Sequence, residues 1–390
     1  MFSSRVPRQL EVNAFSKSLT AARAARRELI DLTISNPTCA GITYPAGLFA
    51  ALSKPEVANY RPEPFGIRSA REAVARDYAR RQVSTSWERI VLTASTSEAY
   101  SVLFKLLCAP EGDQVLVPAP SYPLFDHLSA LDGVAAFQYA LHYDGRWWID
   151  FDTLDAAWSP RTRAVLAVSP NNPTGSIVGA EEQVALAGLC ASRDAALIMD
   201  EVFADYVLSP AAHPDSGETS GPPACLSFRL GGLSKSAALP QLKLGWIAVD
   251  GPAPLVAEAL ERLELICDTY LSVSTPVQIA APDLISGGAG PRAEVLQRVR
   301  DNYRTLGELA SRHPSVDVLH TDAGWSAVIR VPARASEEAI TLDLLERDGV
   351  VVYPGFFFDF PREAFLVVSL LPEPAQFQEG VRRVLERVDG

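Results

Sequence analysis

Short apolar runs that end in polar or glycine-containing segments recur between residues 90 and 250 of the chain. Such runs predict buried strands, here at Ile90–Thr93, Gln114–Val117, Ala136–Ala140, Ala164–Val168, Ala195–Met199, Leu226–Leu230 and Leu244–Val249. The segments between and before them predict helices at Ser69–Arg81, Ser97–Leu107, Tyr122–Leu131 and Glu181–Ser192. Strands that alternate with helices indicate an α/β fold with a mostly parallel sheet and helices on both faces.

The two ends of the chain show the same alternation less regularly. We expect helices from Glu11 to Arg27 and at Ala253–Leu271, Val277–Leu284 and Arg292–Ser311, and strands at Leu29–Ile34, Val316–Leu319, Ala327–Val331, Val350–Val352 and Phe365–Ser369. Ser209–Ala224 predicts an exposed loop and Gly287–Pro291 a turn between helices. We predict a large domain over 45–275 and a smaller α/β domain formed by 1–44 and 276–390.

Composition narrows the possible partners. The chain has 390 residues, 48% of them hydrophobic and 21% charged, which is typical of a globular protein. A net charge of −12 without a block of Lys and Arg disfavours nucleic acid and anionic membranes as partners. No segment reaches the roughly 18 apolar residues of a membrane span. Because Met1–Arg5 also lacks the apolar core of a signal peptide, we expect a cytoplasmic protein.

Cysteine and histidine positions predict neither disulfides nor a metal centre. The five cysteines are an odd number, widely spread and without a CxxC pair, which is typical of reduced thiols. The five histidines show no HExxH or other ligand spacing.

Three separated motifs carry the chemistry of the chain. They are Pro-Asn-Asn-Pro-Thr-Gly at 170–175, Ile-Met-Asp-Glu-Val-Phe at 198–203 and Gly-Leu-Ser-Lys at 232–235. Each follows a predicted strand, and open α/β sheets build ligand sites at the carboxyl ends of their strands. An amide, a carboxylate and an amine are the groups that hold an aromatic, phosphorylated aldehyde cofactor.

With these motifs the chain resembles the fold-type-I pyridoxal-phosphate enzymes of the class I/II aminotransferase family over nearly its whole length. The resemblance implies a large domain with a mostly parallel seven-stranded sheet and pyridoxal 5'-phosphate as cofactor. It also implies that Lys235 is the Schiff-base lysine and proton shuttle, that Asp200 pairs with the ring nitrogen and that Asn172 bonds the ring hydroxyl oxygen.

Further positions match the family's cofactor site. The resemblance places the phosphate at Ser95, Thr96 and Ser97, although a simple Ser/Thr helix cap is the alternative for this segment. Tyr122 matches the residue that stacks on the cofactor ring, with ordinary packing as its alternative. The remaining matches are Ser234, beside the lysine, Lys243, where an arginine to the phosphate is usual, and Tyr60, which resembles a tyrosine that reaches the neighbouring subunit's phosphate. Tyr60 therefore implies a homodimer with shared active sites.

Two departures from the family concern the substrate side. Phe203 stands where a tyrosine normally donates to the cofactor's ring oxygen, and Tyr206 is a possible substitute. Val367 stands where an arginine normally binds the substrate carboxylate. Either another arginine takes that role, with Arg330, Arg304 and Arg5 as candidates, or the substrate is not a simple α-amino acid. Asn36 and Trp325 are the expected pocket residues.

Three functions fit these residues. The first is transamination, in which an amino group moves from an amino acid or related amine to a 2-oxo acid by a ping-pong mechanism. The second is a β-eliminating carbon–sulfur lyase, which uses the same lysine and aspartate but needs no oxo-acid acceptor. The third is a non-catalytic binding or regulatory module with a degenerate site.

Overall fold

The computed structural model describes residues 3–7, 12–208, 221–362 and 364–389. Its strands are β1 (Ile30–Asp31), β2 (Ile90–Thr93), β3 (Gln114–Ala119), β4 (Ala135–Tyr143), β5 (Trp147–Ile149), β6 (Thr162–Val168), β7 (Ala196–Asp200), β8 (Ser227–Gly232), β9 (Gly245–Asp250), β10 (Asp317–Val318), β11 (Ser326–Arg330), β12 (Val350–Val351), β13 (Tyr353–Pro354) and β14 (Phe365–Ser369).

Helices connect these strands. They are α1 (Ala14–Ala24), α2 (Arg68–Arg80), α3 (Thr96–Leu107), α4 (Phe125–Asp132), α5 (Phe151–Ala157), α6 (Ala180–Ser192), α7 (Leu233–Ser236), α8 (Ala253–Tyr270), α9 (Thr275–Gly287), α10 (Ala289–Ala310), α11 (Glu337–Asp343) and α12 (Pro374–Asp389). None of the helices in the described ranges is long and apolar enough to cross a membrane.

The largest sheet of the described chain has eight strands in the order β2-β9-β8-β7-β6-β3-β4-β5. Strands β8, β7, β6, β3 and β4 pair in parallel, whereas β9 runs antiparallel to both β2 and β8. The seven predicted strands are all present, so the predicted α/β fold with a mostly parallel sheet is confirmed. The eighth strand, β5, adds an antiparallel edge next to β4.

Both faces of the central strands are apolar because helices cover both sides. In β6, Val165 belongs to the hydrophobic cluster on one face and Leu166 to the cluster on the other. Leu197 and Ile198 of β7 divide in the same way, and all four side chains are buried. Two-sided burial produces the continuous apolar runs of the sequence, as parallel sheets require.

The described ranges form two smaller sheets, and one of them joins an early strand to a late one. Strand β1 pairs in parallel with β12, and β10, β11, β14 and β13 form a four-stranded sheet. The Ser369 hydroxyl also donates to the Ile34 carbonyl oxygen at 2.5 Å. This pairing of early and late segments supports the predicted division into 45–275 and 1–44 with 276–390, which stays a prediction.

The predicted turn at Gly287–Pro291 is much shorter in the structure. Helix α9 continues to Gly287 and α10 begins at Ala289, so Gly288 alone separates them. The glycines also permit close packing, because a Cβ at Gly287 would clash with the Leu48 side chain and one at Gly288 with Ala237. Close packing of the α9–α10 junction therefore explains a pattern that resembled a loop.

Several predicted boundaries also shift. Helix α4 begins at Phe125, and Tyr122 lies in the preceding loop because a residue before proline disfavours the helical conformation. Helix α1 begins only at Ala14, where the Asn13 side chain accepts a hydrogen bond from Ser16 N at 2.7 Å. The strand predicted at Leu29–Ile34 is reduced to β1, and the predicted Ser209–Ala224 loop lies outside the described residues from 209 to 220. The sequence analysis did not predict β5, α5, α11 or α12.

Candidate active site

The three motifs meet because their strands are neighbours. Val168 at the end of β6 lies beside Asp200 at the end of β7, and Asp200 lies beside Leu230 of β8. After Val168 the chain continues to Asn172, and after Leu230 it continues to Lys235. The carboxyl ends of parallel strands share one edge of a sheet, so amide, carboxylate and amine lie at a single edge.

Asp200 is a buried carboxylate held by neutral donors. Only 7% of the residue is exposed. The Tyr100 hydroxyl donates to Oδ2 at 2.8 Å, and the Val202 amide donates to Oδ1 at 3.1 Å. Burial raises the pKa of Asp200 to about 6, although both hydrogen bonds and the Lys235 ammonium oppose this rise. The carboxyl therefore titrates near neutral pH in the cofactor-free protein.

Lys235 lies in an aromatic environment. Its Nζ is 4.6 Å from the centroid of the Trp325 ring and 5.3 Å from that of Phe203. The two rings meet edge to face, with centroids 5.5 Å apart. Burial lowers the pKa of Lys235 to about 8, while the Asp200 carboxylate acts in the opposite direction. A larger fraction of this amine is neutral near pH 7 than for an exposed lysine, and the neutral amine is the nucleophile.

The backbone around Lys235 receives hydrogen bonds from two other elements. The Tyr206 hydroxyl donates to the Lys235 carbonyl oxygen at 2.5 Å, and Arg292 Nη1 donates to the Ser236 carbonyl oxygen at 3.0 Å. Tyr206 is fully buried. The suggestion that Tyr206 replaces the phenol missing at Phe203 is therefore wrong, because its proton is directed to the main chain.

The two asparagines of the first motif make different contacts. The Asn172 side-chain oxygen accepts a hydrogen bond from the Ser326 hydroxyl at 3.2 Å, which connects the end of β6 to the start of β11. Asn171 is buried, and its side chain accepts from the Ser121 hydroxyl at 2.8 Å and donates to the Pro120 carbonyl at 3.0 Å. Asn171 thus joins two loops of the site edge, a structural role that the sequence analysis did not assign.

The predicted phosphate segment forms the start of α3. Ser95 is the N-cap, and its hydroxyl accepts a hydrogen bond from Glu98 N at 3.1 Å, as the alternative interpretation stated. Thr96 and Ser97 follow in the first turn, where backbone N–H groups lack partners within the helix. A Cβ at Gly245 would lie 2.9 Å from the Ser95 carbonyl carbon, so the glycine lets β9 approach this turn closely.

Four other predicted cofactor residues lie around this edge. Ser234 is in the short helix α7 beside Lys235, and Lys243 is exposed two residues before Gly245. Tyr122 is 45% exposed, and burial followed by the nearby Tyr353 and Asp200 raises its pKa. Tyr60 is 74% exposed, which leaves its side chain open to another molecule.

The two expected pocket residues differ in their surroundings. Trp325 is 3% exposed and contacts the Lys235 region, and its Nε1 is buried without a hydrogen-bond partner in the described part of the chain. The Asn36 side chain caps the turn at Pro37–Cys39 by accepting from Thr38 N at 3.1 Å. Its hydrogen bonds in the described chain are therefore local.

Position 367 has apolar surroundings. Val367 is buried in β14, between Val328 of β11 and Tyr353 of β13. Of the candidate arginines, Arg330 pairs with Asp317 at 2.6 Å and Arg304 with Asp301 at 2.6 Å, both on the surface. Arg5 lies near Gly133, just before the N-terminal end of β4 and so at the opposite edge of the sheet. The structure therefore does not direct any of these three to the site edge.

The site fits pyridoxal phosphate by its set of chemical groups. A partly buried amine with a lowered pKa and a buried carboxylate share one edge of the sheet with a helix N-terminus that has hydroxyls in its first turn. Gly245 lets β9 pack directly against that helix start, since the Cβ of any larger residue would clash with the turn. These are groups suited to an aldehyde, a ring nitrogen and a phosphate.

Residues 13–384 match the family described as aminotransferase class I and II. The chain belongs to this family. Among aminotransferases of this family, the glutamate-pyruvate aminotransferase AlaA of Escherichia coli K12 is 25% identical over 354 residues, covering 88% of this chain and 86% of the relative. An alanine aminotransferase of Mycobacterium tuberculosis H37Rv is 25% identical over 378 residues, covering 93% and 86%.

A solved aminotransferase from Escherichia coli has the same fold. It superposes with a TM-score of 0.87 at 23% identity and covers 100% of this chain and 98% of the solved one. The chain is thus a pyridoxal-phosphate-dependent transaminase that takes an amino donor and an oxo acid, and the carbon–sulfur lyase is not favoured.

Tyr100 is the main contact of this aminotransferase site that sequence reasoning missed. It lies one helical turn after the predicted phosphate residues and contacts Asp200 across the sheet edge. Its helical position in α3 predicts only a core residue, so no local signal distinguished it.

Proposed function

We propose that Lys235 provides the amine that binds the cofactor and moves a proton at the substrate carbon, that Asp200 pairs with the cofactor ring nitrogen and that Asn172 bonds the ring oxygen. The observation that carries the proposal is the contact of the Lys235 amine with two aromatic rings, on the same strand-end edge as the buried Asp200 carboxylate. When bound, the cofactor supplies an electron sink.

The surroundings of Lys235 suit alternating proton uptake and release. A pKa near 8 means that both the neutral and the protonated amine are accessible at working pH, as general acid–base catalysis requires. Trp325 and Phe203 keep water from two sides of the amine and accept the ammonium against their faces. Tyr206 fixes the backbone from which the side chain extends.

We propose that the first turn of α3, with Thr96 and Ser97, receives the cofactor phosphate, and that Ser234 and Lys243 complete this end. Tyr122 would stack on the ring. Helix N-termini and hydroxyls suit phosphate, and an exposed lysine adds a point charge. The Ser95 hydroxyl can also donate to the phosphate, because the helix cap uses its oxygen only as an acceptor.

For the substrates, we propose an amino acid or related amine as donor and a small 2-oxo acid as acceptor. Relatives named for glutamate, pyruvate and alanine make these three the first compounds to test. The apolar surroundings of Val367 and the surface ion pairs of Arg330 and Arg304 favour a carboxylate contact that does not depend on these arginines.

We also propose a cytoplasmic homodimer in which Tyr60 contributes to the neighbouring subunit's site. The exposure of Tyr60 and the unpaired state of all five cysteines support this proposal. Mixing a Lys235→Ala variant with a Tyr60→Leu variant should restore part of the activity if sites are shared, because a mixed dimer then contains one intact site. Activity no higher than the sum of the two variants would contradict shared sites.

The test of the catalytic assignment is an absorption spectrum of the cofactor-loaded protein during titration with amino acids and amines, without an acceptor. Conversion of the cofactor band to that of its aminated form should identify the donor class, and addition of pyruvate should reverse it. Ammonia release without dependence on an oxo acid would instead indicate the lyase. Lys235→Ala should bind some cofactor yet lose turnover; a variant with most of its activity would overturn the role of Lys235.

A further inference from the structure

Tyr100 links the two ends of the proposed cofactor site through one helix. It lies in α3, four residues after Thr96 of the proposed phosphate turn. Its hydroxyl donates to Asp200 Oδ2 at 2.8 Å, and both residues are buried, at 3% and 7% exposure. The same rigid element therefore carries the turn proposed for the phosphate and the donor to the carboxylate proposed for the ring nitrogen.

Packing fixes the direction of this hydroxyl. The Tyr100 ring meets Phe125 edge to face, with centroids 5.3 Å apart and planes at 82°, and also contacts Phe104. Burial, and then the Asp200 carboxylate, raise the pKa of Tyr100 well above its usual value, so the phenol keeps its proton at working pH. Tyr100 is thus a permanent donor in one orientation.

Asp200 depends on this donor because its other partners are few. Within the described part of the chain, its second oxygen, Oδ1, accepts a hydrogen bond only from the Val202 amide. The charged groups that act on its pKa are Glu201, which raises it, and Lys235, which lowers it, and the phenol of Tyr122 is also near. Hydrogen bonds to a carboxylate stabilise its ionised form, which is the form that pairs with a protonated ring nitrogen.

We propose that Tyr100 is a positioning residue that holds the Asp200 carboxylate in its ionised, correctly directed form for the cofactor ring nitrogen, a role that rests on the proposed function of Asp200. Through α3 it also fixes the distance between that carboxylate and the phosphate turn. Tyr100 acts through Asp200 and does not touch the reacting atoms.

The test compares Tyr100→Phe with Tyr139→Phe. Tyr139 is equally buried, and its hydroxyl donates to the Leu166 carbonyl oxygen at 2.8 Å, so its variant loses a similar hydrogen bond away from Asp200. Infrared difference spectra against Asp200→Asn follow the protonation of Asp200 in the cofactor-free protein. Tyr100→Phe should move the midpoint upward by about one pH unit, the size expected for a hydrogen bond to a charged group. Tyr139→Phe should leave it in place.

A double-variant cycle adds a second readout. Tyr100→Phe should weaken cofactor binding and lower kcat by about tenfold with little change in KM, consistent with loss of about one charge-assisted hydrogen bond. In the Asp200→Asn background the same change should have almost no effect, because the partner is already gone. Full additivity, or an unmoved Asp200 titration, would overturn the role of Tyr100.

The outcomes separate the two proposals. If Asp200→Asn leaves cofactor binding and kcat unchanged, the proposed role of Asp200 fails. If Asp200→Asn is impaired while Tyr100→Phe behaves like Tyr139→Phe, Asp200 retains its role and the inference about Tyr100 is wrong.

Discussion

Two regions meet at the end of β7, where consecutive carboxylates face different surroundings. In the site region, Asp200 accepts neutral donors from Tyr100 and Val202. In the ionic region behind it, Glu201 accepts from Arg229 at 2.8 Å and from Arg81 at 3.3 Å. Neighbouring residues of the same charge thus serve different purposes, because one is neutralised by guanidinium groups and the other is left able to titrate.

The ionic region extends from Glu201 into a network. Arg80 pairs with Asp77 at 3.0 Å and with Asp205 at 2.6 Å, and Arg292 lies 3.9 Å from both carboxylates. Arg292 also donates to the Ser236 carbonyl next to Lys235. Paired charges therefore stabilise the backbone that carries the site. The charged groups of the site itself, Asp200 and Lys235, have no such ion pairs in the described part of the chain. Shifted pKa values are typical of residues at a functional site, whereas the charged residues that support the site are expected to form ion pairs.

The largest expected difference between the regions concerns activity. Asp200→Asn should lower kcat/KM by roughly 10²- to 10³-fold, the usual effect of removing one electrostatic contact to a developing charge. Glu201→Gln should leave the activity of the folded fraction within about tenfold of the wild type, since Glu201 faces the arginines. Steady-state kinetics of both variants measure this difference. Equal losses of kcat/KM in the two variants would contradict the proposed difference between the site region and the ionic region.

Stability should show the opposite order. Glu201→Gln leaves two largely buried guanidiniums without a full counter-charge, and we expect a loss of about 3 kcal/mol in the free energy of unfolding. Asp200→Asn should cost less, because it removes a desolvated charge. Denaturant unfolding measures both. As control, Glu386→Gln breaks an exposed pair with Arg382 and should leave stability nearly unchanged, because solvent screens exposed ion pairs.

The pH dependence of stability provides a third contrast in the cofactor-free protein. The raised pKa of Asp200 stabilises the folded state at acid pH, and this contribution is lost as pH rises from the ordinary value of 3.8 through about 6. The lowered pKa of Lys235 stabilises the folded state above 10.5, and that contribution is lost as pH falls from 10.5 towards 8.

Between about pH 6 and 8 both charges are present in the buried site, so this pair contributes least there. Lys235→Met should therefore remove the increase in unfolding free energy between pH 8 and 10.5 relative to the wild type. Unfolding at pH 7.5 and 10 measures the increase in each protein. An identical increase in Lys235→Met would show that other groups cause it.

The smallest expected effect concerns the contact of Tyr206 with the Lys235 backbone. Tyr206→Phe removes one hydrogen bond to the Lys235 carbonyl and should lower the unfolding free energy by about 1 kcal/mol. Tyr44→Phe is a matched control, because the Tyr44 hydroxyl donates to the nearby Ala238 carbonyl at 2.6 Å. If Tyr206 positions Lys235, its variant alone should shift the pH titration of the bound cofactor's absorption band.

Much of the fold could be predicted because buried segments have a recognisable pattern of apolar residues in the sequence. The central strands, covered on both faces, produced apolar runs whose positions agree with the structure to within a few residues. Helix α12 was not predicted although its signal is equally clear, since Phe377, Val381 and Val388 repeat at helical spacing and are buried. The α9–α10 turn was predicted too long because glycine indicates a turn and close packing alike.

The sequence alone determined the α/β fold, the family and the positions of the amine, carboxylate and amide that follow three strands, because strand ends and short motifs are local properties of a chain. Only the tertiary structure decided which groups surround them: Tyr100 on Asp200, Trp325 and Phe203 against Lys235, and Tyr206 on the Lys235 backbone. These partners are far apart in sequence. Their effect depends on desolvation and distance, which exist only once the sheet and its helices have packed.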